Sequence, residues 1–435
     1  AARSTASRSG VALDVIVLER GAQVGGKART IVRDGWMVEG GPSGFLGGRP
    51  ELDALLDAAG LRAQVLPARA AAKRRFLFRA GRLREIKSSP GGFAASGILG
   101  VGGLLRLGAE PFVARARPGG DESVWAFAAR RIGAQAADRL ISPMTLGVFA
   151  GDAKRLSLAS AFPKMAALER EHGSLVRGML ARRGRARAQL ASLRDGMQSL
   201  PRALAAAGGF QVRCNAAVRA IARTPRGWSV AVEGDGTPLD ADALVLAIEP
   251  FAAAALLRPL LPAAADALDA IPCPHVTVVG LGYTAAAASA IPDGFGALIS
   301  RGEGIRMLGN LWETSIYPGR GPAGGVLVRA MFGGAIDPSI GELDDGAVLE
   351  LAKREIGRLY GLSAGPVFHE VVRLPRAIPQ YEIGHAARVA AVERGAGPVP
   401  GLAVTGFGLR GVAFGDAATP GVRTGEAIGR RLTMA

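Results

Sequence analysis

Cysteine, histidine and lysine are scarce in this sequence. Only Cys214 and Cys273 occur in 435 residues, too few for a disulfide framework, and a reducing compartment is expected. His172, His275 and His369 show no metal-ligand spacing. The most apolar stretch, 93–105 (FAASGILGVGGLL), stops at Arg106 and falls short of the about 20 residues that a bilayer span requires. The first residues contain no apolar h-region, so no secretory signal is expected. Zinc-finger spacing, an RNA-binding aromatic motif and a basic heptad repeat are all missing, which speaks against a nucleic-acid partner.

What is abundant is arginine, alanine and glycine. Lys plus Arg total 53 against 37 Asp plus Glu, a net charge of +16, and only six of the basic residues are Lys. This usage fits a GC-rich coding bias as well as it fits an anionic membrane surface or a polyanionic ligand. A hydrophobic fraction of 49% excludes wholesale disorder. The length exceeds what one compact core supports, so two or more domains are expected.

The first recognisable element is VALDVIVLER, residues 11–20. The run from Val15 to Leu18 reads as a strand buried on both faces of a parallel sheet. Glu19 stands where a dinucleotide-binding unit places the carboxylate that accepts a ribose hydroxyl; an ordinary strand-end carboxylate is the plain alternative. The dinucleotide reading requires a glycine-rich phosphate loop about 20 residues earlier, ahead of Ala1. Residues 1–10 then read as the end of a crossover helix with Gly10 as its stop. The expectation is a nucleotide domain truncated at its N-terminus that binds its cofactor weakly. Next, GAQVGGKART (21–30) offers Gly25 and Gly26 for a tight turn, with Lys27 and Arg29 as positive charge for a pyrophosphate. In DGWMVEGGPSGF (34–45), Gly40, Gly41 and Pro42 form a turn able to press backbone against a flat ring.

The ordered set LER, GGKART and GWMVEGGPSGF resembles the flavin-containing amine oxidase superfamily and, within it, the protoporphyrinogen oxidases. The segments GVFAGD-x-x-x-LS-x-x-x-x-FP (Gly147 to Pro163) and IPQYEIGH (378–385) carry the resemblance furthest. It implies that Glu19, Arg20, Gly25, Gly26, Lys27, Arg29, Gly41, Pro42 and Ser43 hold FAD, with Val218 at the adenine. It further implies that Gly406, Gly411, Val412 and Asp416 form a turn before a helix that faces the flavin, although Phe407 and Thr419-Pro420 depart from the pattern. Arg75, in RRFLFR, would grip a propionate. Gly147 and Gly151 would form a wall without side chains for a flat tetrapyrrole, sandwiched by Leu298, Leu311 and Met331. Taken without the resemblance, these are a solvated hairpin edge, a helix-end glycine pair and ordinary sheet core. His385 is read as a helix-start or packing residue, and no catalytic acid or base is assigned.

The implied fold is α/β (α+β multidomain). A Rossmann-like FAD-binding domain occupies 1–72, 191–255 and 386–435, and a mixed-sheet substrate domain occupies 73–90 and 256–385. A helical insertion, 91–190, is placed by the resemblance at an anionic membrane surface. Asp121 is expected to cap a helix with the stripe Val124, Phe127, Ala128 and Ile132, and the basic run ARRGRARAQL (181–190) to be a surface loop. VTVVGLGY (276–283) does not continue its GLG as GxGxxG, so it reads as an antiparallel strand rather than a nucleotide loop. The implied activity is FAD-dependent oxidation of protoporphyrinogen IX to protoporphyrin IX, with molecular oxygen as acceptor, in heme and porphyrin biosynthesis. Coproporphyrinogen III is the alternative substrate, told apart by further pocket arginines, for which Arg306, Arg329 and Arg410 are candidates; an inactive scaffold is the other alternative. No metal is expected. A cytoplasmic protein peripherally attached to a membrane is expected, and a homodimer is left open.

Overall fold

Seven strands form a mixed sheet in the order Phe368–Leu374, Val276–Thr284, Gly325–Gly333, Gly309–Trp312, Gly296–Ile299, Phe76–Arg79, Arg82–Glu85. The structure is a computed structural model and describes residues 1–8 (Arg8 by its backbone alone), 10–115, 119–182 and 188–434. Of the expected surface loop at 181–190, residues 183–187 lie outside the described residues. All neighbours in the sheet run antiparallel except Gly296–Ile299 and Phe76–Arg79, which are parallel. Side chains alternate across the pleat. Phe76, Phe78, Ile299, Trp312, Val328 and Phe332 face one way and bury the apolar stripe of helix Asp345–Tyr360. The opposite face receives the hairpin Thr30–Arg33 and Trp36–Glu39. The GLG of the central strand explains that contact. A Cβ on Gly280 would lie 2.7 Å from Val38, and one on Gly282 would lie 2.8 Å from Trp36. These glycines admit a hairpin, and the strand is antiparallel as expected.

The parallel elements are shorter. Ile16–Leu18 pairs with Gln211–Arg213, and Leu244–Leu246 pairs with Leu402–Val404. The expectation of a strand buried on both faces is corrected here: Ile16 is 40% and Val17 39% exposed, because the strand belongs to a two-stranded sheet with little covering it. The helix expected before it is present as Ala2–Arg8, with Gly10 at φ +75°. It packs on the C-terminal helix Phe414–Leu432, where Gly425 and Gly429 leave room for its backbone.

The described residues between 90 and 181 form mainly short helices. The stretch 93–105 is broken into helices Pro90–Ala95 and Val101–Gly108, with Gly97 at φ +67° and Ile98 and Leu99 buried between them. Helix Val124–Ile132 buries Val124, Phe127 and Ala128 as its spacing predicts. Its cap is Ser123, whose Oγ accepts from the Ala126 N–H at 3.1 Å. Asp121, two residues too early to reach those amides, instead accepts from Ser157 Oγ (2.6 Å) and the Gly384 N–H (2.8 Å).

Candidate active site

The segments singled out for cofactor binding meet around one buried carboxylate. Glu39, 1% exposed, accepts from Thr30 Oγ1 (2.8 Å) and the Met197 N–H (2.9 Å), so GGKART, GWMVEGG and DGMQSL are tied together. Burial pushes its carboxyl above the usual range, against the Met197 N–H, Arg320 and Thr30. Gln198 extends the network: its amide donates to the Val24 carbonyl (3.0 Å) and its N–H to Thr30 Oγ1 (3.1 Å). Gly25, at φ +115°, holds the turn in a conformation that L side chains avoid. A Cβ on Gly41 would strike the Lys27 carbonyl, so the two glycine turns lie backbone to backbone.

Several of these residues fit the phosphate and ribose end of a dinucleotide. Glu19 Oε1 accepts the Gly21 N–H at 2.6 Å, and Oε2 makes no hydrogen bond among the described residues. Arg20 and Arg29 are exposed, and among the described residues their side chains have no partner. Helix Phe414–Leu432 starts without a side-chain cap, leaving its first amides open to an electronegative group. Gly406 (φ +125°) and Gly411 (φ +74°) lead into it with Val412 half-buried. Val218 opens strand Val218–Thr224 at a bulge. Two residues are engaged elsewhere. Asp416 is paired with Arg49. Lys27 donates to the Ala377 carbonyl (2.6 Å), lies 3.4 Å from Glu249 and sits over the Phe407 ring. Burial lowers its pKa, opposed by Glu249 and Cys273. It fastens the GGK turn to the 375–380 segment, where a pyrophosphate-binding lysine would point outward.

Of the residues expected on the substrate side, Leu298, Leu311, Met331 and Gly147 come together. Leu298 is paired with Gly309, Gly309 with Met331, and Leu311 with both Gly296 and Arg329. Directly opposed residues share a face, so Leu298, Leu311, Arg329 and Met331 line one strip of the sheet. They are half-buried, whereas Ala297, Ile299, Trp312 and Ala330 between them are fully buried. Gly147, on helix Ser142–Phe149, stands over the strip; a Cβ there would lie 2.5 Å from Leu298 Cδ2. Gly151 does not join it. It is buried, and a Cβ would meet Gln380 Oε1 and, at 2.8 Å, Leu156, so its missing side chain serves packing. Arg75 lies exposed, 5.0 Å over the Phe295 ring and without an ion pair among the described residues. The three other candidate arginines are occupied: Arg306 by Asp337 (2.7 Å) and Ser339, Arg410 by Glu393, and Arg329 by the carbonyls of Glu39 and Gly41.

The two most specific segments lie side by side. The Ser157 N–H donates to the Tyr381 carbonyl (2.8 Å), the Ile383 N–H to Arg155 (2.9 Å), and Gln380 Nε2 to Phe149 (2.9 Å). His385 begins helix His385–Ala396, stacks on Tyr381 at 4.1 Å and places Nε2 2.9 Å from the Leu409 carbonyl. Burial lowers its pKa, and its role is packing. Sequence reasoning missed the buried charges Glu39, Glu313 and Arg320; Glu39 ends its strand, Glu313 directly follows one, and Arg320 lies in the loop before strand Gly325–Gly333.

An apolar strip of the sheet beside turns suited to a dinucleotide fits a cofactor-dependent oxidoreductase. Residues 1–428 match the family of flavin containing amine oxidoreductases, and the chain belongs to that family. It is 31% identical over 467 residues to the chloroplastic protoporphyrinogen oxidase of Oryza sativa subsp. japonica, covering 99% of this chain and 86% of the relative. It is 26% identical over 422 residues to the coproporphyrinogen III oxidase of Bacillus subtilis (strain 168), covering 93% and 89%. Its fold is that of a crystal structure from Exiguobacterium sp. 255-15, provisionally assigned as a protoporphyrinogen oxidase, with TM-score 0.86, 22% identity and coverage of 99% and 96%.

Proposed function

We propose that the chain is an FAD-dependent oxidase that converts protoporphyrinogen IX to protoporphyrin IX, with molecular oxygen as the final acceptor. The observation that carries this is the half-open strip Leu298, Leu311 and Met331 facing Gly147 in an otherwise buried sheet. A strip of that kind offers apolar contact to one face of a flat ring system, and Gly147, without a side chain, packs directly on Leu298 at its end. Bound flavin supplies the two-electron acceptor chemistry. The chain's own residues bind and orient: Arg75 meets a carboxylate with two parallel hydrogen bonds, and the apolar walls exclude water. Arg306, Arg329 and Arg410 have partners within the protein, whereas among the described residues the Arg75 side chain has no ion pair or hydrogen bond. That favours a substrate with carboxylates on one edge over coproporphyrinogen III, which carries them around the ring.

The helical insertion supports peripheral membrane attachment. Val101 and Leu105, one turn apart on helix Val101–Gly108, are 76% and 71% exposed, and Phe112 just beyond is 86% exposed. No helix among the described residues is long and apolar enough to cross a membrane, so this patch would sit at the interface. The deciding experiment is tetrapyrrole fluorescence with the flavin-loaded protein and each porphyrinogen under air. Protoporphyrin IX should appear with the higher kcat/KM. If flavin-loaded protein oxidises neither substrate, the proposal fails; if coproporphyrinogen III is preferred, the substrate assignment fails.

A further inference from the structure

We propose that Arg329 is a positioning residue that fixes the Gly40–Ser43 turn against the substrate strip, with Glu313 as its buried counter-ion. The inference rests on the reading above that this turn faces the flavin. Arg329 is opposite Leu311 in the sheet, so it projects on the same face as Leu311 and Met331. Its Nε donates to the Glu39 carbonyl at 2.7 Å and its Nη2 to the Gly41 carbonyl. One planar fork thereby holds the carbonyl of Glu39, the last residue of its strand, and that of Gly41 in the turn that follows, beside the Gly40 N–H donated to the Arg29 carbonyl (2.8 Å) and the Ser43 carbonyl that accepts from Ser192 Oγ (2.8 Å). The side chain is only 11% exposed, so it is neither a solvated surface cation nor available to a substrate carboxylate.

A guanidinium at that depth requires compensation. Glu313, 1% exposed, lies 3.7 Å from Arg329 Nη1, and neither of its oxygens makes a hydrogen bond of normal geometry. The charged and titratable groups facing this pair are Arg320, Glu39 and Tyr317, with Ser43 beside the Glu313 carboxyl. Arg320 is already bound to Ser192 Oγ (2.6 Å) and the Leu193 carbonyl (3.1 Å), and Glu39 to Thr30 and Met197. Burial pushes the Glu313 carboxyl above the usual range, opposed first by Arg329 and then by Arg320, so Glu313 is the carboxylate facing Arg329 and is shared with Arg320. A strut of this kind joins the sheet that carries the substrate walls to the turn that carries the cofactor contact, so the spacing between them depends on it.

The test is hydrogen exchange of residues 40–44 together with flavin spectroscopy, using wild type, Arg329→Lys and Arg329→Met. Lysine keeps the charge but cannot fork to two carbonyls. Both variants should speed exchange in 40–44 about tenfold or more while 276–284 stays unchanged. Both should also shift the visible absorption bands of bound flavin and lower kcat more than they raise KM. Exchange in 40–44 and flavin bands unchanged in Arg329→Lys would overturn the proposal, as would a loss of thermal stability with those two readouts intact. Exchange is read without flavin or porphyrinogen. A wild type that binds flavin yet oxidises no porphyrinogen therefore defeats the functional reading and leaves this one standing or falling on its own data.

Discussion

Gly147 and Arg75 carry opposite kinds of information about the candidate site. A Cβ at Gly147 would press on Leu298 Cδ2, yet the residue sits inside a right-handed helix, where alanine is the better helix former by about 1 kcal/mol. Gly147→Ala is therefore expected to leave the melting temperature equal or higher while kcat/KM for the porphyrinogen falls; a variant with wild-type kcat/KM removes Gly147 from the wall. Arg75 is exposed and unpaired, so Arg75→Ala should leave stability untouched. Losing a hydrogen bond to a charged group is worth about 1.5–3 kcal/mol, which predicts a KM raised about tenfold or more with a smaller change in kcat, and Arg75→Lys in between. Unchanged kinetics would take Arg75 out of the site. Residue types single out these two positions as candidates because the chemistry expected of them is local. They misplaced Lys27, Gly151 and Asp121 because those roles depend on which distant carbonyl or side chain comes within reach: Ala377, Gln380 and Ser157.

Periodicity made most elements legible. The apolar run at 276–284 and the hairpin turn at Ala80-Gly81, both at positive φ, announce themselves. The stripe of helix Val124–Ile132 does too, but it hides a charge: Arg131 is fully buried and bonded to Glu110, itself fully buried. Glu110 also accepts from Ser174 Oγ (2.6 Å) and the Leu175 N–H (2.8 Å), which joins three helical elements. Desolvation would raise its pKa, but Ser174, the Leu175 and Val176 amides and Arg131 outweigh it and hold the carboxyl below the usual range. A folded pKa below the unfolded one stabilises above about pH 4.3 and is lost as pH falls through the folded value. Proteolysis of the 101–181 segment should therefore accelerate in wild type below about pH 4. Arg131→Met should open the segment at neutral pH, since stranding one buried charge destabilises by about 3–5 kcal/mol. The double variant Arg131→Met/Glu110→Leu should recover most of the loss; failure to recover would mean that the pair is not what joins these elements.

At the scale of the molecule, composition reported a surplus of charge without saying where it acts. A net charge of +16 is compatible with coding bias, and the apolar stretch 93–105 looked too rich in glycine for one helix. The fold breaks the stretch: Ile98 and Leu99 turn inward while Val101 and Leu105 turn outward. The next 3-10 turn adds Phe112, and helix Leu175–Ala181, which packs on that turn, adds exposed Met179 and Leu180. Large side chains so placed have no packing reason to stay in water. If they insert at a headgroup boundary, positive charge and apolar area act together, and salt and mutation separate them. The protein should co-sediment with phosphatidylglycerol-containing vesicles at low salt and partly release at about 1 M salt, where screening reaches about 3 Å. Leu105→Glu with Phe112→Glu should abolish binding at both salt concentrations without changing activity on a detergent-dispersed substrate. Binding that survives the double substitution but vanishes in salt would mean that the surface is held by charge alone, and the helical insertion would lose its place at the membrane.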